Sequence, residues 1–414
     1  MENVNEALIK PVAAKERVKE MDLIRGFALF GVLLVNLAMI NTTLFTQMAL
    51  KSPLSNPLSL EGGLNRLAGL LIQILAEGKF YTIFSFLFGL GFYVFMERAA
   101  IKHPKPTRLF LRRSFFLLIF GILHFSLVWY GDILHVYGII GFLLLMFRNR
   151  KLKTIRNWIF ILLILSTFIF TSLTFLNELV MVVMDPQYIE EYQTTIYTQM
   201  DESLMVYQSG SYIDVLSYRL KNEAGYTIKN LLFLIPKILG MFLIGLYVGK
   251  KGVLENVKEH LSLIKKTCLW AGIGFAISTI IFSIFKYDLV TVSTLLAEPM
   301  AILLQEISTV FGSVFYITSL VLLWQKPKFA KYLQPLTSMG QMALTNYLVQ
   351  CIVASFIFYG YGLGLLNRVG LAVGVLITFV IYGIQLIYSK AWLAKHKYGP
   401  FEWVWRKLTY GGTL

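Results

Sequence analysis

The stretch Gly121–Gly141, GILHFSLVWYGDILHVYGIIG, decides how the chain is read. Two apolar arms flank a Gly131-Asp132 turn, and His124, Asp132 and His135 sit inside them. So short a link folds the arms back as an antiparallel pair of helices. Ionisable side chains within segments this apolar are costly and point to function. A plainer reading stands beside each of them. Asp132, followed by Ile-Leu-His, has the form of an ordinary helix N-cap, and His135 suits an interfacial side chain. His124 has apolar sequence on both sides, so it either bonds to a neighbouring helix or does chemistry. The cost of burying a polar group and the aptness of imidazole for proton transfer near neutral pH favour chemistry.

The rest of the chain has the composition of a scaffold around that hairpin. Hydrophobic residues make up 57% of the 414 and charged residues only 15%, with a mean hydropathy of +0.66, which takes the chain out of the soluble globular class. The apolar residues lie in runs of about 20, the length a helix needs to cross hydrocarbon, and lack the alternation of barrel strands. The expected fold is therefore an all-α polytopic membrane protein of about ten transmembrane helices. A formal charge of +15 raises the question of nucleic acid. The lysines and arginines, however, cluster in short segments between the apolar runs and read as topology signals, so no nucleic-acid partner is expected. Cys268 and Cys351 lie in apolar runs in no metal-binding spacing, so two buried thiols and no metal site are expected.

In chain order, residues 1–20 are expected to be a cytoplasmic tail and 21–395 the membrane domain, with 396–414 a second cytoplasmic tail. The first apolar run, MDLIRGFALFGVLLVNLAMI, reads as an anchor rather than a removable leader. Asp22 and Arg25 share a helix face as a local ion pair or as part of a binding site. Asn36 is placed to bond to another helix. The second span is broken at Glu77-Gly78-Lys79, and Gly89 and Gly91 allow close helix approach. Residues 185–229 carry seven acidic and three basic side chains among spaced tyrosines, and are expected outside the membrane as amphipathic helix or as a solvated cap. Lys237 is expected to snorkel to the surface. Glu306, without a basic neighbour, is either paired across helices or protonated. With both termini cytoplasmic, 29 of the 38 basic residues fall inside and six outside, in accord with the positive-inside rule.

Four stretches together resemble the YeiB-like family of bacterial membrane proteins, catalogued as a domain of unknown function. They are MDLIRGFALFGVLLVN, KFYTIFSFLFGLGF, RRSFFLLIFGILHFSLVWYGDILHVYGIIG and the C-terminal pair MGQMALTNYLVQ with YGPFEWVWRKLTYG. The combination of Gly121-x-x-His124, Gly131-Asp132-Ile133-Leu134 and Gly399-Pro400-x-Glu402-Trp403-x-x-Arg406 carries the resemblance. It implies a bacterial cytoplasmic membrane and a distant likeness to transmembrane acyltransferases, with an acyl donor on the cytosolic side and a glycan or lipid acceptor outside.

On that expectation His124, Asp132 and His135 are the catalytic candidates. Arg25, Arg98, Arg112 and Arg113 are candidates for the phosphates of an acyl-coenzyme A donor, since guanidinium matches phosphate in shape and charge. The same arginines also satisfy the positive-inside rule alone. No tightly bound cofactor is expected. Two other classes stay open: a transporter or channel lined by His124, Asn36, Glu306 and Asn346, and a non-enzymatic protein binding membrane lipids or a partner. A homodimer is compatible with each.

Overall fold

The computed structural model describes residues 18–50 and 57–411, and the helices there follow the apolar runs. They are α1 Lys19–Ile40, α2 Leu44–Ala49, α3 Gly63–Leu75, α4 Lys79–Lys102, α5 Pro106–Leu127, α6 Leu134–Leu144, α7 Leu152–Val183 and α8 Pro186–Ser209. After these come α9 Tyr212–Tyr218, α10 Ala224–Lys250, α11 Leu261–Lys286, α12 Thr294–Trp324, α13 Pro327–Gln341, α14 Ala343–Phe358, α15 Leu371–Lys395 and α16 Pro400–Tyr410. No strand occurs among the described residues. Most of the 1–20 tail lies outside them.

Eight of the described helical segments are long and apolar enough to cross a membrane, and α13 with α14 makes a ninth if that pair, bent by 80°, counts as one span. The remaining apolar run, Leu134–Phe147, is helical but short. At 1.5 Å per residue it covers only about 20 Å of the ~30 Å hydrocarbon layer. The chain is thus an all-helical, multi-pass membrane protein. Its outermost helices advertise the lipid: Phe160, Ile164 and Phe168 on α7, and Leu269, Trp270 and Ile280 on α11, are all exposed. In water these would be a liability, whereas in a bilayer they cost nothing.

Packing between helices depends on close approach at glycines. A Cβ on Gly121 of α5 would sit 2.0 Å from the backbone nitrogen of His135, and one on Gly138 of α6 would sit 2.7 Å from Leu118 Cα. The α5–α6 hairpin is therefore in backbone contact, closer than any side chain allows. Gly89 serves the same end on α4, its Cβ position lying 1.8 Å from the Phe242 carbonyl oxygen of α10.

The polar residues within the bundle are mostly accounted for by hydrogen bonds. Lys237 does not snorkel: it is buried in α10 and donates to Glu306 Oε1 of α12 at 2.8 Å. A cation and an anion taken out of water persist together only when paired, and here each supplies the other. Asn346 donates to Met339 O and to Ser389 Oγ, both at 3.1 Å, and accepts from Tyr388. These bonds explain its presence without a transport path.

The 185–229 segment is helical over most of its length. Asp185 caps α8 by accepting from Gln187 N at 2.8 Å. Ser211 and Asp214 form a reciprocal capping box on α9. A π-helical turn, Arg219–Glu223, joins α9 to α10. Tyr188, Tyr192 and Tyr212 are exposed, whereas Tyr207 is fully buried.

Candidate functional site

The α5–α6 turn brings the three catalytic candidates together. His124 Nδ1 lies 2.9 Å from Asp132 Oδ1, and His135 Nδ1 lies 2.8 Å from Asp132 Oδ2. The backbone N–H of His135 also donates to Oδ2 at 2.8 Å. Asp132 thus caps the first turn of α6 and bridges two imidazoles. An ionised carboxylate only accepts, so each Nδ1 carries a proton, and the neutral form of His124 has its free acceptor at Nε2. That Nε2 is buried and has no hydrogen-bond partner among the described residues. Tyr347 of α14 closes the group: its ring centroid is 5.2 Å from that of His124 and its hydroxyl is 3.5 Å from Asp132 Oδ1. One turn on in α14, the buried Cys351 thiol takes a long hydrogen bond, 3.9 Å, from Asn36 Nδ2.

Next to this group lies a cavity of about 450 Å³, inside the ~300–1,000 Å³ range of small-molecule sites. Gly131, Ile133, Leu134, Tyr137 and Tyr347 wall one end of it. Arg25, Arg98, Arg113 and Arg406 line the other, together with Asp22 and Glu402. The aromatic and aliphatic side chains of α1 and α4 run between. Neither His124 nor Asp132 is among the residues that line the cavity wall. Gly131, Ile133, Leu134 and Tyr347 do line it, and Tyr347 touches both His124 and Asp132.

The arginines are held in different ways. Arg25 is paired with Asp22 at 3.0 Å and faces Gly91, whose Cβ position would lie 3.5 Å from Arg25 Nη2. Gly91 therefore widens the cavity, whereas Gly89 packs helices. Arg113 lies between the rings of Phe95 and Trp405, 5.3 and 3.7 Å from their centroids. The indole of Trp405 in turn donates to the Arg113 carbonyl oxygen at 3.0 Å. Arg406 rests over Tyr398, 4.5 Å from its centroid. Arg112 is not part of the cavity and lies beside Phe116, 5.7 Å from its centroid.

Sequence reasoning took 396–414 as a tail and did not assign Arg406 or Tyr347 to the site. The structure makes Pro400–Tyr410 a helix that packs on α5 and contributes Glu402, Trp405, Arg406 and Tyr410 to the cavity. Glu402 ties it down by accepting from Thr345 N at 3.0 Å and from Thr345 Oγ1 at 2.6 Å. Burial pushes the Glu402 carboxyl up from its ordinary value, and the two Thr345 hydrogen bonds pull it partly back. The signal for α16 was the Gly399-Pro400 start followed by Glu402, a helix-initiating pattern.

A polytopic helical membrane protein with an arginine-lined cavity beside a His-Asp-His group is the class that these features define. The chain belongs to the DUF418 family, described as a protein of unknown function, whose model matches residues 248–412. It is 33% identical to the uncharacterized protein YxaH of Bacillus subtilis (strain 168), over 97% of this chain and 96% of that one. It is 30% identical to an uncharacterized 39.9 kDa protein in the amylase 3' region of Bacillus acidopullulyticus, with the same coverage. Against the uncharacterized protein YeiB of Escherichia coli (strain K12) it is 26% identical, over 95% of this chain and 96% of that one. No solved structure matches.

Proposed function

We propose that this protein is a membrane acyltransferase that binds an acyl donor with a phosphate-bearing head, such as acyl-coenzyme A, and passes the acyl group to a glycan or lipid acceptor. One observation carries the reading: a single cavity has four arginines at one end and the Asp132 turn at the other. Guanidinium groups suit phosphate, and the apolar wall between suits an acyl or pantetheine chain. The four arginines fall in the chain's basic segments, which supports an orientation with both termini in the cytosol of a bacterium and the donor entering from there.

His124 Nε2 serves as the base that deprotonates the acceptor or as the acyl carrier. In the carrier route Nε2 attacks the thioester carbonyl, the C–S bond breaks and the coenzyme leaves as thiolate. The acceptor hydroxyl or amine then attacks the acyl-imidazole. Its proton ends on the thiolate, and His124 returns to the form that donates from Nδ1. Asp132 stabilises the positive charge that develops on the ring, as a carboxylate does for imidazole in hydrolytic triads. Tyr347 has to turn aside for the donor carbonyl to reach Nε2.

A second reading is favoured by the absence of His124 from the cavity lining: the cavity holds a membrane lipid, with its anionic head at the arginines, and no transfer follows. Calorimetric titration of the purified protein with acetyl-coenzyme A and native mass spectrometry of the same sample separate the two. Saturable acetyl-coenzyme A binding, weakened about tenfold (~1.4 kcal/mol) by Arg98→Ala, is the expected result. Tightly retained phospholipid without donor binding would establish the second reading instead.

A further inference from the structure

A second buried polar group lies at the opposite end of α5 from the arginines. Arg113 and Ser126 are 13 residues apart on that helix, about 20 Å at 1.5 Å per residue. At the Ser126 end stands Arg219, fully buried, whose Nη1 donates to the Ser126 carbonyl oxygen at 3.0 Å. Its Nε and Nη2, which share one edge of the guanidinium, have no hydrogen-bond partner among the described residues, and the centroid of the Tyr207 ring lies 6.0 Å away. Glu223, also fully buried, accepts from the Tyr207 hydroxyl on Oε2 at 2.7 Å, while its Oε1 has no partner among the described residues. The hydroxyl of Tyr359, in electrostatic contact with both, is unpartnered as well. Tyr207 and Tyr359 meet edge to face, 4.8 Å between centroids.

This pattern differs from the rest of the interior. The buried Lys237 and the half-buried Glu306 neutralise each other directly, whereas Arg219 and Glu223, on one helical turn, each keep an unused hydrogen-bonding edge. They sit at the two ends of a π-helical turn, a distortion that recurs at functional sites. The free Nε/Nη2 edge of an arginine is a two-pronged donor matched to a carboxylate or phosphate. A free carboxylate oxygen four residues on requires a donor, and aromatic rings beside both suit the faces of a polyol.

We infer that Arg219 and Glu223 form a binding site for a small hydroxylated anion, with its carboxylate or phosphate on Arg219 and a hydroxyl on Glu223. Ser126 is two residues from His124, so the site lies within one helical turn of the His-Asp-His group along α5. If the transferase reading holds, this ligand is the acceptor or its head. The site itself is tested by binding alone and does not depend on transfer.

The test uses the purified full chain in nanodiscs, with thermal unfolding followed in glycerol 3-phosphate, in glucuronate, and in glycerol and glucose as neutral controls. A concentration-dependent rise in midpoint with one or both anions and none with the neutral compounds is expected. A rise with glycerol 3-phosphate alone assigns a phosphate head, and one with glucuronate alone a sugar acid. Arg219→Lys, which keeps the charge and loses the fork, should weaken binding at least tenfold, and Glu223→Gln should weaken it less. Should either variant fail to fold, amide exchange of residues 205–223 in the unmodified protein reads the same event, slowing when the anion binds. Stabilisation by neither anion, stabilisation that survives Arg219→Lys, or unchanged exchange in the presence of a stabilising anion would overturn the assignment.

Discussion

His124 and Asp132 are joined at 2.9 Å, Nδ1 to Oδ1, across a turn that reverses the chain between α5 and α6. The bond determines which imidazole nitrogen is left for chemistry, and a second bond from His135 holds the carboxylate in place. Asp132→Ala leaves two Nδ1–H donors without their acceptor. It should cost about 2–6 kcal/mol, at ~1–3 kcal/mol for each unsatisfied buried group. Asp132→Asn, which keeps one acceptor oxygen, should fall between. Thermal unfolding measures the loss, and nitrogen-15 shifts of labelled histidine report the tautomer. An alanine variant as stable as the parent would mean that the bridge has no structural weight.

The hairpin itself is tested at its closest contact. Gly121→Ala places a methyl group 2.0 Å from His135 N, so α5 and α6 must part. The cost should reach at least the ~1–3 kcal/mol of an overpacked core. Gly383→Ala is the control, since nothing lies within 4 Å of its Cβ position. That change should be neutral or stabilise by up to about 1 kcal/mol. Equal midpoints for the two variants would contradict the close packing.

The Lys237–Glu306 pair should show strong coupling. Removing one partner, as in Lys237→Met or Glu306→Leu, strands a buried charge and should cost about 3–5 kcal/mol. The double variant should be more stable than either single one, because no charge is left unpaired. A double variant whose loss equals the sum of the two single losses would dissolve the pair as a unit.

At the arginine-lined end of the cavity, Arg406→Ala should weaken binding of a coenzyme A donor about tenfold, ~1.4 kcal/mol. Arg112→Ala should not, because Arg112 lies beside Phe116 and outside the cavity. Fluorescence or calorimetric titration of both variants checks the contrast. The reverse ranking would remove Arg406 from the site.

How much of this was legible in the sequence depends on the range of the interaction. The apolar runs declare the helices, and the Gly131-Asp132 turn brings His124 and His135 to one carboxylate within fifteen residues, so that group could be read locally. The Asp22–Arg25 pair, three residues apart, was equally plain. Lys237 was misjudged because its partner is Glu306, 69 residues on, and one helix alone makes a lysine look free to snorkel. Arg406 and Tyr347 come to the site by the folding back of α16 and the bend between α13 and α14. No local pattern encodes either path. Arg219 and Glu223 lie in the most polar stretch of the chain, where composition signals exposure, yet α8 and the end of α14 cover them.

The central claim concerns His124 as the group that handles the acyl chain, and single-turnover transfer tests it most directly. The protein in nanodiscs is mixed with acetyl-coenzyme A labelled in the acetyl group, then assayed for free coenzyme and for label on protein and acceptor. His124→Ala is run beside the parent. The account predicts coenzyme release and transfer by the parent, and their loss in a His124→Ala protein that still binds the donor with unchanged affinity, since the arginines are intact. Label transferred at the parental rate by folded His124→Ala would contradict it, as would a parent that binds the donor and releases no coenzyme.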